Sequence, residues 1–542
     1  MVGSTTLTLL LLVPAAPVPV GPRPPAVAAD PAKLAEFGNL VGAAAAQLAA
    51  HRPDADETAL AAGAVRGLYE AAGEPVPAEL LKAVHDAKRH EDRALLIGEA
   101  RGRLAAAPAL RGVRAFLAAT HGFRHAFDTL SGLATLRSGS SVFVDMDFSL
   151  GFELDGVEGQ RVTAYRLERQ IAAGQVPTTG LLGPPPRADT IASPASYPWR
   201  VRRVLPGSPA HRAGMRAGDI ITHMNDAEVT PPAADRLFGK LTDPPDGGVD
   251  PKSGVLRAAK FDLQLRRGGG TKRVALVTDD YTPTNVAGCV RRDDGTWDGM
   301  LDPVRKIGYV RVGAMELLTG QETVRVVHDL AERGCRGLVL DLRWCPGGYV
   351  DPGTTIAGMF LPEGAVIAKV ALFPNVVERE TEHRAPKGHR FPDLPLVVLV
   401  GPDTLGGGEL IAAAIQDYKR ADVVGQRTAG RAATQKQYDL KFGNLMFKAT
   451  YGTTLRPSGK PRHRTPTSAP TDDWGVRPTP GLEVPLTPAV AAELREWADE
   501  HGLRPAGSRA GLPFDDPDRD PVRAAALAHL RKRLAAAPAA QN

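Results

Sequence analysis

The sequence is short of three things: cysteine, aromatic residues and long apolar runs. Its 542 residues contain three cysteines, Cys289, Cys335 and Cys345. An odd, sparse set with no CxxC pair excludes a disulfide framework and offers no zinc site. The histidines add no ligand cluster. His383 and His389 lie in the polar stretch "EHRAPKGHR" and read as solvent-facing, so neither a metal nor any other cofactor is expected. Aromatics make up 5% against 57 glycines and 47 prolines, which predicts Ala/Val/Leu cores joined by long loops. One apolar run, "TLTLLLLVPAA" (6–16), is too short to span a bilayer before prolines interrupt it. Charge of one sign is lacking too: 66 basic residues oppose 61 acidic ones, a net of +5. The basic clusters "KPRHR" (460–464) and "RKR" (531–533) are short and carry no interleaved aromatics. They read as solvated, arginine-rich surface, and no nucleic-acid partner is expected.

What is present divides along the chain. The apolar run leads to "AVAAD", where Ala26 and Ala28 form an A-x-A pattern. This predicts a signal peptide over 1–28, cut after Ala28, and an exported protein, periplasmic or extracellular, with no integral membrane segment after cleavage. Residues 31–140 form a helical N-terminal region, with apolar spacing of helical period in "LAEFGNLVGAAAAQLAAH". From 141 the texture alternates as strands do, in "SVFVDMDFSLGFELD", before a polar, proline-rich insertion at 156–198. From 307, strand and helix patterns alternate: "IGYVRVGAM", "TGQETVRVVHDLAERG", "CRGLVLDLRW", "PLVVLVG", an elbow helix and "ADVVGQ". Such alternation implies a largely parallel sheet covered by helices. Residues 491–542 are read as a charged C-terminal tail ending in a helix.

"SLGF" (149–152) and "GSPAHRAGMRAGDII" (207–221) together resemble a PDZ domain, placed over 141–280. Ser149, Leu150, Gly151 and Phe152 would be its carboxylate-binding loop. Glycine lets successive backbone N–H groups converge into a nest for a terminal carboxylate. The adjoining strand edge can accept an extended peptide.

Five ordered motifs, "GSPA…AG…AGDII", "GLVLDLRWCPGG", "ELIAAAIQDYKRADVVGQ", "TAGRAATQ" and "WGVRPTPGLEVPLTP", resemble the C-terminal-processing (tail-specific) serine peptidases. The resemblance implies a multidomain α/β protein: helical N-terminal region, PDZ domain, and a crotonase-like α/β peptidase core over 281–490. It also implies a PDZ domain that captures unstructured C-termini and a Ser–Lys dyad. Carried over by position, the family serine falls on Gly406 and the family lysine on Arg431. Gln435 and Asp417 match the family's residues. The oxyanion amides fall on Gly347 and Gly407.

Glycine has no hydroxyl with which to form an acyl-enzyme. Arginine stays protonated in proteins and cannot accept the serine's proton. Thr404, two positions upstream, is a substitute nucleophile to weigh, with Lys436 as a displaced base. Cys345, beside the oxyanion glycines, reads as a small buried side chain. "GGG" (406–408) would leave room for a peptide close to the backbone. Three functions follow: a pseudopeptidase that holds protein C-termini, a peptidase with a relocated nucleophile, or a structural PDZ scaffold.

Overall fold

The computed structural model describes residues 30–51, 56–127, 132–135, 150–155, 196–205, 207–242, 248–249, 256–257, 259–278, 285–291, 297–373, 382–388, 391–440, 445–465, 467–501, 516 and 518–536. The signal-peptide expectation, Ser149, His389 and nearly all of the 156–198 insertion lie outside these residues.

The helical region is built from Pro31–His51, Glu57–Ala72, Ala78–Asp86, His90–Arg103 and Val113–Gly122. Its helices approach closely through glycine. A Cβ on Gly67 would lie 2.2 Å from the Ala118 carbonyl oxygen, and one on Gly38 would lie 2.0 Å from that of Ala94. The region is not wholly helical, nor does it stand apart. Strand Gly132–Thr135 pairs antiparallel with Leu445–Leu455, and Phe447 and Ala449 from that strand enter the helical core. Ring centroids of Phe123 and Phe447 lie 6.0 Å apart.

The PDZ region folds around Trp199, Phe238, Phe261 and Leu265, all buried. Strand Phe152–Leu154 pairs with Val201–Val204, and Ile220–Met224 and Gly270–Val277 flank Lys260–Arg267. The "AGD" motif has a structural reason. Gly218 takes φ +86°, which favours glycine, and Asp219, 1% exposed, accepts from Arg267 Nε at 2.6 Å and Nη2 at 2.7 Å.

In the core, strands Ile307–Val312, Gly337–Asp341, Leu396–Val400 and Asp422–Gly425 form a parallel sheet in that order. Strand alternation sends neighbouring side chains to opposite faces. Leu338, Leu340, Leu396 and Val398 meet the helices Thr319–Glu332, Val350–Gly358 and Gly406–Asp417 on one face. Val339, Val397 and Leu399 meet Val522, Leu527 and Leu530 on the other. The segment read as a C-terminal tail therefore includes a helix, Pro521–Ala536, that covers the back of the sheet. Burying both faces explains why these strands read as unbroken apolar runs.

Ion pairing fastens this helix. Arg343, 5% exposed, donates to both oxygens of Asp341 and, from Nη1 at 2.9 Å and Nη2 at 2.6 Å, to Asp520. Burial would raise the Asp520 carboxyl's pKa, but the Arg343 charge and hydrogen bonds outweigh it and hold it below the usual range.

His383 departs from its expected exposure. It lies in strand Glu382–Arg384, opposite Ala368, and is buried. No helix among the described residues is long and apolar enough to cross a membrane.

Candidate active site at the glycine elbow

Strand Leu396–Val400 ends at Gly401, and helix Gly406–Asp417 begins five residues later. The intervening turn is riveted by Thr404, which is fully buried. Its hydroxyl donates to the Leu342 carbonyl at 2.8 Å and accepts from the Gly401 N–H at 3.0 Å. Its carbonyl accepts from the Ala429 N–H at 3.1 Å. The single hydroxyl proton is thus committed to backbone.

The structure brings Gly406, Arg431 and Gly347 together. The Gly406 N–H donates to the Arg431 carbonyl at 3.2 Å, and a Cβ on Gly347 would lie 3.3 Å from Gly406 Cα. Gly406 has φ +48°, a left-handed conformation in which most side chains are strained. Among the described residues, and apart from its chain neighbours and own helix, a Cβ there would meet within 4 Å only Gly347 Cα, a tight contact at 3.3 Å. The room expected over the rest of "GGG" is already filled. A Cβ on Gly407 would lie 2.8 Å from Met315 Cγ, and one on Gly408 would lie 3.0 Å from Cys345 Cβ. These two glycines admit neighbouring side chains rather than a ligand.

The Arg431 side chain is exposed and makes no ion pair among the described residues. Gln435 donates from Nε2 to Thr450 Oγ1 at 3.2 Å. Asp417 ends the elbow helix, about 16 Å from Gly406 at 1.5 Å per residue. There it accepts from Arg456 Nε at 2.9 Å and from the Ser458 N–H at 3.1 Å. Burial would raise its pKa, but these bonds outweigh burial and hold it low. Asp417 anchors the far end of the helix and is not brought to the elbow. The amides expected to form an oxyanion hole are near each other: a Cβ on Gly347 would lie 3.5 Å from the Gly407 N, and Cys345 lies beside them. Burial pushes that thiol up to about 12, so it is not a thiolate near neutral pH.

Two organising residues escaped the sequence reading. Glu409, fully buried, accepts from Thr428 Oγ1, from the Gly430 N–H at 2.7 Å and from the Arg431 N–H at 2.8 Å. It fixes the "TAGR" turn against the elbow. Burial raises its pKa, with Arg462 the largest opposing influence. Arg462 comes from "KPRHR", which is therefore not simply solvated surface. It is 2% exposed, donates from Nη1 to the Gly406 carbonyl at 2.9 Å, and holds Glu409 Oε2 at 3.6 Å. His463 accepts the Ala432 N–H at 3.2 Å in the tautomer with an unprotonated Nδ1. No sequence signal announced this pairing, since an acid in a helix's first turn is ordinarily favoured by the helix dipole at the surface.

On the PDZ side, Gly151 has φ +73°, and a Cβ there would lie 2.0 Å from Ser208 Cβ. Ser208 Oγ donates to the Gly151 carbonyl at 3.1 Å. Leu150 and Phe152 are buried in the domain core. Among the described residues, the second edge of strand Phe152–Leu154 has no strand partner. Among the described residues no group of three or more His, Cys, Asp or Glu side chains could hold a metal ion.

The sequence model of peptidase family S41 matches residues 306–476, and that of a PDZ domain matches 200–237. The chain thus joins a PDZ domain to an S41 peptidase-like core. It is 27% identical over 325 residues to the carboxyl-terminal-processing protease of Synechocystis sp., covering 60% of this chain and 68% of that one. To the enzyme of that name from Picosynechococcus sp. it is 28% identical over 261 residues, 46% of this chain and 55% of the relative. The match to the second relative thus spans about half of its length. Among solved structures, the photosystem II D1 C-terminal processing protease aligns at TM-score 0.38 and 19% identity, over 84% of this chain and 94% of that one. An S41 protease from Bacteroides fragilis aligns at TM-score 0.41 and 15% identity, over 75% and 87%.

Proposed function

We propose that this protein is an exported pseudopeptidase, which holds unstructured protein C-termini through its PDZ domain and does not cleave them by the Ser–Lys route. One observation carries the reading: the elbow position that would present a nucleophile is Gly406, and the neighbouring base position is an exposed, permanently charged Arg431. The substitute nucleophile fares poorly. Thr404 is buried, its proton is bound to a carbonyl, and Lys436 is exposed on the following strand. Export is supported by the apolar run and the Ala26/Ala28 pattern.

Binding is supported by Gly151 and by the edge of Phe152–Leu154 that has no strand partner among the described residues, which together suit a carboxylate nest with strand addition. Titration calorimetry with one unstructured peptide, as free acid and as C-terminal amide, tests it. The free acid is expected to bind about tenfold more tightly, since the amide loses charge-assisted hydrogen bonds. Equal affinities would remove the reading and leave the scaffold function in its place.

A further inference from the structure

We propose that the emptied elbow is a second carboxylate site, in which the free C-terminus of an extended peptide lies over Gly406 with its terminal carboxylate on Arg431. The proposal rests on the pseudopeptidase reading, and it places a ligand in the core as well as on the PDZ domain. Three independent features of the elbow support it. The first is room: among the described residues, and apart from its own chain neighbours and helix, only Gly347 Cα lies within 4 Å of where a Gly406 Cβ would be. The second is charge. Arg431 and Arg464 are both exposed, and neither pairs with an acid among the described residues. The backbone places them on either side of Gly430, whose carbonyl accepts the Arg464 N–H at 2.7 Å. Glu409, which accepts the Arg431 N–H, is fully buried and already accepts from three donors. A planar guanidinium fork suits a carboxylate, which it can bind through two parallel hydrogen bonds.

The third is an apolar rim. Leu317 is 68% exposed and Leu318 45%, on the turn that follows Met315. Met315 joins the elbow walls directly: its N–H donates to the Gly347 carbonyl and its carbonyl accepts the Tyr349 N–H, both at 2.8 Å. Tyr349 is itself 37% exposed. An apolar last side chain beside a free carboxylate matches this combination. An apolar rim joined through Met315 to the elbow, together with arginines that pair with no acid among the described residues, fits a peptide end better than a phosphate-rich ligand, which needs no apolar rim.

The test uses the full chain and a flexible peptide whose last residue is the photoreactive benzoylphenylalanine, made as free acid and as amide. After irradiation, labelled residues are mapped by mass spectrometry. The free acid is expected to label the 315–318 turn or Tyr349, in addition to the PDZ domain. Arg431→Ala, a change at an exposed side chain, should cut the core label about tenfold while leaving the PDZ label intact. Arg431→Lys should retain most of the core label, and the amide should lose it. Absence of core label from the free acid, or core label indifferent to Arg431→Ala or to amidation, overturns the proposal. Core label that depends on Arg431 and the carboxylate, without PDZ label, upholds it and instead defeats the PDZ part of the pseudopeptidase reading.

Discussion

Gly151 in the PDZ domain and Gly406 at the elbow both have positive φ, +73° and +48°, but they are glycine for different reasons. At Gly151 a Cβ would collide with Ser208 Cβ at 2.0 Å, so packing as well as conformation demands the smallest residue. At Gly406 the nearest atom to a Cβ would be Gly347 Cα at 3.3 Å, a contact that a small shift relieves. The PDZ loop is glycine by structural necessity, whereas at the elbow a Cβ would meet a single tight contact, with Gly347 Cα. The wall behind the elbow is well kept: Glu409, Arg462 and Thr404 hold the surrounding turns by buried hydrogen bonds. A firmly held wall around an elbow glycine is what a binding role for the elbow requires.

The sharpest way to break this comparison is to add one methyl group at each glycine. Gly151→Ala should cost about 3 kcal/mol, combining overpacking with left-handed strain, and denaturant unfolding of the full chain would read it. Gly406→Ala should cost less, about 1–2 kcal/mol from conformation alone. Equal losses at the two sites would mean that the elbow is packed as tightly as the PDZ loop.

A smaller effect separates both regions from the helical domain. Burial, reinforced by the Arg124 charge, lowers the His121 pKa from an ordinary 6.5 to about 4. Neutral in both states above pH 6.5, it contributes no pH dependence there. As pH falls below 6.5 the unfolded chain binds a proton that the fold resists, so stability declines towards pH 4. Between pH 6.5 and 5.5 the loss should be about 1 kcal/mol, and His121→Gln should flatten it in urea melts at the two pH values.

The motifs whose physics is local were legible in the sequence. Alternating strand and helix patterns announced a parallel sheet covered by helices, and the glycine turns marked both the PDZ loop and the elbow. Gly406 and Arg431, linked only by position in the sequence, lie together, with the Gly406 N–H donating to the Arg431 carbonyl at 3.2 Å. What stayed hidden depends on partners distant in the chain. "KPRHR" has a solvated composition, yet Arg462 is buried because Glu409, 53 positions earlier, draws it in. His383 lies in a polar stretch but pairs into a strand opposite Ala368. The final helix looks like a charged appendage until Asp520 is seen clasping Arg343 from 177 positions away.

The central claim is that the elbow binds and does not cut. Its most direct test is prolonged incubation of the full, unmodified chain with an unstructured polypeptide, with mass spectrometry scanning for new termini. The account predicts intact polypeptide throughout. It predicts the same for Gly406→Ser alone, because Arg431 cannot take the serine's proton. New termini that accumulate with the unmodified protein and vanish in a folded Thr404→Ala variant would contradict it, and would make Thr404 the nucleophile.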